Sequence, residues 1–194
     1  ENEKIYSEPI VITSDANISS RVKKEGKWSK KVSAKYYKID NTKSIKIESK
    51  YANQYAAAGD KTLIDYLRGG DNYRTGNWQG YREDLIATID LGKEKKVSSI
   101  SLGCMQDIKS WIFFPKRVEY FSSKNGIDFN YLGAINTDFS DSLEGSFIKE
   151  YSIKFPEKRA HHIKIKAINY GYCPDWHLGA GGKTWLFVDE IKIE

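Results

Sequence analysis

Apolar residues recur at every second position over many short segments of this 194-residue chain. Because successive side chains of a β-strand point to opposite faces, this alternation indicates half-buried strands. No segment shows a sustained helical stripe, and the best helical candidate, Lys61 to Leu67, spans about two turns at most. Turn residues such as Lys124-Asn125-Gly126 separate the apolar segments. We therefore predict an all-β antiparallel sandwich with strands at 10–13, 32–36, 44–48, 85–91, 97–102, 117–121, 151–155, 163–167 and 186–193.

The composition changes between residues 40 and 50, which predicts a domain boundary there. Residues 1–42 are too few and too polar to enclose a hydrophobic core, so we interpret them as the last strands of a preceding domain. Residues 43–194 have the usual length of a single β-sandwich domain.

Charge and hydropathy limit the possible partners. Lys and Arg number 31 and Asp and Glu 26, and the excess lies in residues 1–50, with 12 basic and 7 acidic residues. The neutral remainder lacks the basic surface of a nucleic-acid-binding protein. No apolar run approaches the ~20 residues of a membrane span. One segment is a weak candidate for binding a membrane surface: Ile112-Phe113-Phe114 beside Lys116-Arg117. Glu1 to Ile5 has no signal-peptide pattern, so we expect any export signal to have been removed or to lie upstream.

The two cysteines limit cysteine chemistry. Cys104 and Cys173 are too few for a disulfide framework or a thiolate zinc site, although they could form one disulfide. His177 follows Cys173 by four residues, but this pair alone supplies too few ligands for zinc.

Catalytic motifs are not found in the sequence. Gly182-Lys183-Thr184 resembles the end of a phosphate-binding loop, but His177 stands where that motif needs glycine. His161 and His162 are adjacent on a predicted strand, so we expect them to point to opposite faces. No serine lies in a Gly-x-Ser-x-Gly motif. We therefore predict that this chain has no catalytic residues.

Two turn-rich segments, 106–111 and 169–177, combine aromatic with polar residues. The apolar faces of sugars stack on aromatic rings, and their hydroxyls bind charged or amide groups. These segments therefore favour sugar binding, with Trp111 or Trp176 as the stacking ring. The alternative is that both tryptophans only close the ends of the sandwich. Trp78 and Trp185 are predicted to belong to the core, since each leads into an apolar strand.

Three segments resemble those of discoidin-like domains, also called coagulation factor V/VIII C-type domains, and of family 32 carbohydrate-binding modules. They are WQGYREDLIATIDLG at 78–92, SSKNGIDF at 122–129 and FVDEIKIE at 187–194. The resemblance extends from about residue 45 to the end of the chain. It implies a discoidin-like, galactose-binding-domain-like jelly roll.

Two further segments, 106–115 and 173–191, resemble the C-terminal module of bacterial family 20 β-N-acetylhexosaminidases of the chitobiase type, particularly those of Bacteroides. Residues 1–42 resemble the last strands of the immunoglobulin-like domain that follows the catalytic barrel in those enzymes. The resemblance implies an accessory module of an exported enzyme, periplasmic or at the surface of a Gram-negative bacterium. Its catalytic residues would lie upstream of residue 1.

The resemblance also implies a structural calcium ion. Asp65 and Glu190 match the early Asp and the closing Glu of the family 32 pattern, although Tyr66 replaces the usual glycine. Asp60 and Asp71 are nearby carboxylates that we add to this set. The alternative is that Asp60 and Asp65 cap the short helical turn or pair with Arg68.

The sugar site that the resemblance implies lies on loops at one end of the sandwich. It would bind glycans containing N-acetylhexosamine or galactose. The alternative is that these loops pack against the enzyme's own catalytic domain and bind no sugar. The candidate residues are Tyr81, Arg82, Gln106, Asp107, Trp111, Asp175, Trp176 and His177.

Overall fold

The computed structural model describes residues 4–194, and their contacts form two compact units divided after Asp40. In the first unit, β1 (Ala16–Ser20) pairs antiparallel with β4 (Val32–Tyr36), and β2 (Lys23–Lys24) forms a hairpin with β3 (Lys27–Trp28). None of residues 4–40 is buried. The strand predicted at 10–13 is not formed, because its apolar side chains have no core to face.

The second unit contains seven strands, and every pairing between them is antiparallel. The strand predicted at 32–36 is confirmed as β4 of the first unit. Those predicted at 44–48, 117–121 and 186–193 are confirmed in the second unit, within a residue or two at their ends. The other four predicted segments are parts of just two long strands. The strands are β5 (Ser44–Ile47), β6 (Gln79–Tyr81), β7 (Leu85–Gln106), β8 (Arg117–Ser123), β9 (Asn130–Asn136), β10 (Phe147–Ile168) and β11 (Leu186–Ile193).

Helical structure in the described part of the chain is limited to short 3₁₀ turns. They are Asn53–Tyr55, Gly59–Ile64, Tyr73–Thr75 and Ile108–Ser110. The helical candidate at 61–67 is the second of these, shifted towards the N-terminus. None of these turns has the length or apolarity of a membrane-spanning helix.

The long strands β7 and β10 build both layers of the sandwich. They pair with each other along almost their whole length, with register shifts between Lys154 and Lys158 and between Ala160 and His162. The first half of β7 and the second half of β10 lie in one layer with β5, β8 and β9. The other halves lie with β6 and β11. This arrangement confirms the predicted antiparallel sandwich.

The core fills the space between the two layers. Alternate residues of β7, such as Ala87 and Ile89, pack in one cluster with Ile163 of β10 and Val188 of β11. Cys104 lies in this cluster, whereas Cys173 lies in a separate cluster beneath the loops. Both thiols are free and buried, so the possible disulfide is not formed. Burial also raises the pKa of the Cys104 thiol, which makes it unreactive.

Candidate functional site

The pairing of β7 with β10 places the long loops of the second unit at one end of the sandwich. Leu85, where β7 begins, pairs with Ala167, just before the end of β10. Gln106, the last residue of β7, pairs with Phe147, the first residue of β10. The loops that follow or precede these strand ends therefore lie side by side, at an end that we call the loop pole. It contains residues 48–78, 107–116, 137–146 and 169–185.

Two loops at this pole are joined by main-chain hydrogen bonds. The backbone N–H of Trp185 donates to the carbonyl of Trp111 (2.8 Å), and that of Phe113 donates to the carbonyl of Trp185 (3.0 Å). Ile112, Phe113 and Phe114 are buried, so the suggested membrane-binding tip is not exposed. The two segments that the sequence singled out for sugar binding thus form one surface.

The His177 side chain is buried beneath this surface and links the two loops by hydrogen bonds. Its Nδ1 accepts a hydrogen bond from the Gly179 N–H (2.9 Å), and its Nε2 donates to the Ile108 carbonyl (2.7 Å). The ring packs edge-on against Trp111 and Trp176. Both nitrogens are occupied and the side chain is buried, so His177 supports the site and has no free nitrogen for a sugar.

Trp111 is partly buried by glycines of the second loop. A Cβ on Gly179 would lie 2.4 Å from its indole, and one on Gly182 would lie 2.5 Å from it. Only residues without a side chain allow this close approach. Trp111 itself adopts a left-handed conformation, with φ of 64°, at the end of the 3₁₀ turn Ile108–Ser110. The indole therefore fixes the loop and leaves only part of its surface to solvent.

Trp176 is the predicted stacking residue that remains open. Its side chain is 50% exposed, and Leu178 beside it is fully exposed. Asp175 is also exposed. Asp107 is half-buried and accepts a hydrogen bond from Ser110 (3.0 Å) within its own turn. Of the predicted set in these two loops, Asp175 and Trp176 offer the most surface to a ligand.

Tyr81 and Gln106 do not face solvent and are removed from the predicted site. Tyr81 is fully buried in the main core, and its hydroxyl donates to the side chain of Gln79. Gln106 is also buried, and its amide donates to the Ser140 carbonyl (2.8 Å). Each lies in a strand segment in which every residue is buried, so alternation does not operate at these two positions.

A groove of about 610 Å³ at the loop pole was not predicted as a unit from the sequence. Arg82 is exposed and fixed there: its Nη1 donates to the Lys183 carbonyl (2.9 Å), and its guanidinium lies 4.0 Å above the Trp185 ring. Tyr172, which is 60% exposed, lies on the same groove. The aromatic residues around Tyr172 indicated a binding surface in the sequence. The residues that line the groove with Tyr172, such as Arg82 and Glu48, lie far from it in sequence. The groove is lined by Glu48, Ser49, Arg82, Glu83, Asp84, Ile86, Asn169, Gly171, Tyr172 and Lys183.

Hydrogen bonds make the walls of this groove rigid. The Asn169 N–H donates to Asp84 (2.9 Å), and the Asn169 side-chain oxygen accepts from Gly171 and Thr184. Glu83 accepts from the Lys50 N–H (2.6 Å). The groove thus combines an exposed ring with fixed charged groups, and such a surface suits a sugar.

The calcium candidates are only partly brought together. Glu190 is buried, its Oε2 accepts from the Tyr66 N–H (2.8 Å), and its Oε1 has no hydrogen-bond partner in the described structure. Burial, with smaller repulsion from Asp65 and Asp189, raises the pKa of Glu190 to about 8. An unpartnered buried carboxylate oxygen beside a second carboxylate fits a hard cation.

Asp60 and Asp71 do not complete this arrangement. Asp60 accepts from the Tyr51 hydroxyl (2.9 Å), and Asp71 is exposed. Within residues 4–194, no three side-chain ligands converge among these four carboxylates. The alternative roles are also wrong, since no side chain caps the turn Gly59–Ile64 and Arg68 pairs with Asp189 and Glu150.

No family model and no curated protein matches the sequence. Solved structures do resemble the fold. A module called CpGH89CBM32-5 from Clostridium perfringens, in complex with GalNAc-β-1,3-galactose, has a TM-score of 0.53 at 16% identity, covering 80% of this chain and 96% of that one. The family 32 module of C. perfringens NanJ, in complex with galactose, has a TM-score of 0.50 at 17% identity, covering 80% and 95%.

A fucolectin from the serum of striped bass, Morone saxatilis, has a TM-score of 0.52 at 15% identity, covering 78% of this chain and 46% of the lectin. At this level of identity the likeness is one of fold. The second unit of this chain has the β-sandwich fold of these carbohydrate-binding modules and lectins.

Proposed function

We propose that residues 43–194 form a non-catalytic carbohydrate-binding module that binds glycans at the loop pole. The observation that carries this proposal is the groove in which Tyr172 is exposed and Arg82 is fixed against Trp185. A sugar ring would stack on Tyr172, and its hydroxyls would bond to Arg82 and the acidic groups of the wall. Trp176, on the same loop, would contact a second sugar unit.

The proposed ligands are glycans that contain galactose or N-acetylhexosamine. Two solved structures of similar fold contain galactose or GalNAc-β-1,3-galactose, and the sequence resembles modules of β-N-acetylhexosaminidases. A shallow groove buries little of a ligand, so we expect a Kd of about 10⁻⁴ to 10⁻³ M. Weak binding is useful in a protein that is also an enzyme, because it raises the local concentration of substrate.

Glycan binding is tested by titrating the chain with galactose, N-acetylgalactosamine and N-acetylglucosamine, using heteronuclear NMR. We expect Tyr172→Ala to weaken binding by about two- to tenfold, since stacking on one ring contributes about 0.5–1.5 kcal/mol. Trp176→Ala is expected to weaken binding of a disaccharide more than that of a monosaccharide. Tyr131→Ala, at an exposed tyrosine outside this groove, is the matched control. Equal affinities for Tyr172→Ala and wild type, or no binding to any of the sugars, would contradict the proposal.

A second candidate function is docking against the catalytic domain of a parent hexosaminidase. The observation in its favour is the apolar surface of Trp176 and Leu178, which is open in this chain. In this case the separately expressed catalytic domain would bind the chain, and Leu178→Asp would abolish that association. The same substitution would leave sugar binding in the groove intact.

We further propose that the parent is an exported family 20 β-N-acetylhexosaminidase and that residues 1–42 complete its immunoglobulin-like domain. The support is the sequence resemblance, together with the exposure of Ile5, Val11 and Trp28 in a segment, residues 4–40, that has no buried residue. Apolar side chains of this kind are normally covered.

We also propose that Asp65 and Glu190 hold a structural calcium ion with backbone carbonyls. Calcium at 100 times its Kd would then stabilise the fold by about 2.7 kcal/mol, measured as a higher melting temperature in CaCl2 than in EDTA. Glu190→Gln should remove this calcium-dependent difference, whereas Asp128→Asn, at an exposed carboxylate of the Lys124–Phe129 hairpin, should retain it. Identical melting temperatures of the wild type in CaCl2 and EDTA would overturn the proposal.

A further inference from the structure

Three side chains converge where β7 and β10 bend, at the end of the sandwich opposite the loop pole. Nε2 of His161 lies 3.0 Å from Oδ1 of Asp90, and Nε2 of His162 lies 3.7 Å from Oδ2 of the same carboxylate. The two imidazoles stack with their centroids 4.6 Å apart. Across residues 4–194, these are the only three His, Cys, Asp or Glu side chains found with ligand atoms all within 4.8 Å of one another.

An irregularity in the pairing of β10 with β7 brings the two histidines together. In a regular strand, adjacent side chains point to opposite faces, and on that basis the sequence predicted opposite faces for His161 and His162. The register of β10 against β7 shifts between Ala160 and His162, so the alternation is interrupted there. Both rings consequently face Asp90, which lies in β7, and the prediction from adjacency is wrong.

The distances suit ligands of one transition-metal ion. Ligand atoms about 2.0–2.2 Å from a tetrahedral zinc ion lie roughly 3.3 Å from each other. The two nitrogen–oxygen distances are 3.0 and 3.7 Å, each to a different oxygen of Asp90, and one ligand atom from each of the three side chains lies within 4.8 Å of the other two. Two imidazoles and one carboxylate are ligands for zinc, copper and nickel, whereas calcium needs six to eight oxygens. This cluster is therefore chemically distinct from the Asp65 and Glu190 site.

The carboxylate is held in position before any ion binds. Oδ1 of Asp90 accepts a hydrogen bond from the Gly92 N–H (2.7 Å). Gly92 has a φ of 75°, and a Cβ there would lie 2.7 Å from the Thr42 carbonyl oxygen. A glycine is thus required at this bend, and its N–H supplies the outer contact that orients a metal-binding carboxylate.

His162 is more enclosed than His161 and is incompletely bonded. Its side chain is 19% exposed, it packs against Gly126, and its Nδ1 is buried without a partner in the described structure. The nitrogen that faces Asp90 is Nε2, so Nε2 is the ligand atom that His162 offers. The side chains of His161 and Asp90 are 34% and 42% exposed, so an ion can reach the cluster from solvent.

We propose that Asp90, His161 and His162 bind one divalent transition-metal ion, with zinc as the reference ion and water in the remaining position. The ion joins β7 to β10 at the bend where each strand passes from one layer to the other. Its binding stabilises the folded state, because the unfolded chain does not hold the three ligands together. This site is independent of glycan binding at the loop pole.

The test is a calorimetric titration of the untagged 194-residue chain with ZnCl2. We expect one zinc ion per chain and a melting temperature that rises with zinc concentration. His161→Gln and Asp90→Asn should each weaken zinc binding by at least about tenfold. Loss of a residue that only hydrogen-bonds to a metal ligand already weakens binding by about tenfold, and loss of a ligand itself should weaken it at least as much. Cobalt(II) should bind at the same site and give the visible absorption of a nitrogen- and oxygen-ligated ion, absent in the double variant His161→Gln/His162→Gln.

Two controls separate this site from other metal ligands in the chain. Glu144→Gln, at an exposed carboxylate of the loop pole, should keep full affinity. Circular dichroism of each variant shows whether it is folded, and His161→Gln should fold because that side chain is partly exposed. The proposal is overturned if wild type binds no stoichiometric zinc, or if the folded His161→Gln/His162→Gln variant binds zinc as tightly as wild type.

Discussion

Replacing Trp78 with alanine is expected to reduce the free energy of unfolding by about 3–5 kcal/mol. The indole is 1% exposed and packs so closely on Gly69 that a Cβ there would lie 2.0 Å from the ring. Its Nε1–H also donates to the Gly70 carbonyl (3.0 Å). Urea denaturation followed by circular dichroism measures the loss.

Trp176→Ala is the matched control for this prediction. The Trp176 ring is 50% exposed on the loop surface, so its removal should change the free energy of unfolding by less than about 1 kcal/mol. Equal losses for the two variants would mean that the positions of these tryptophans in the fold are wrong. Unequal losses of the expected size would show that Trp176 can be mutated to test sugar binding without unfolding the protein.

Replacing Arg68 with alanine should have an effect of similar size for an electrostatic reason. Nε of Arg68 lies 2.9 Å from Oδ2 of Asp189, whose side chain is fully buried. Burial raises the pKa of Asp189, and the Arg68 guanidinium opposes this shift. Without Arg68, a buried carboxylate would lose its cation, so we expect destabilisation by about 3 kcal/mol in urea denaturation.

Arg159→Ala is the control for this second variant. Arg159 also forms an ion pair, with Glu94 at 3.2 Å, but both of these side chains are more than a third exposed. Exposed ion pairs contribute about 0–1 kcal/mol, so this variant should be close to wild type. If Arg68→Ala were no less stable than Arg159→Ala, the pairing of Arg68 with the buried Asp189 would not have the stabilising role that we assign to it.

Most of the sandwich was predictable because alternation records which side of each strand is buried. Leu85, Ala87, Ile89 and Leu91 are all buried, as their spacing requires. The alternation did not show that the segments 85–91 and 97–102 belong to one bent strand. Gly92 and the charged residues that follow it resemble a turn in sequence, whereas in the structure they form the bend between the two layers.

The candidate site was predicted less completely, because a surface depends on loops that are distant in sequence. The aromatic and polar composition of 106–111 and 169–177 identified the two loops that meet at the loop pole. Composition did not distinguish Trp176, which is open, from His177, which is buried and fully hydrogen-bonded. It also did not connect Arg82 with Tyr172, since their groove is formed only when β6 has paired with β11 and β7 with β10.

The amino-acid sequence by itself determined the sandwich and most of its strands, because a period of two gives each strand one apolar face that must be covered. Only the tertiary structure decided which polar side chains meet. Asp90 and the two histidines are about seventy residues apart, and one register shift in β10 turns both rings towards the same carboxylate. Such shifts depend on how two strands fit together, and the local sequence of either strand does not reveal them.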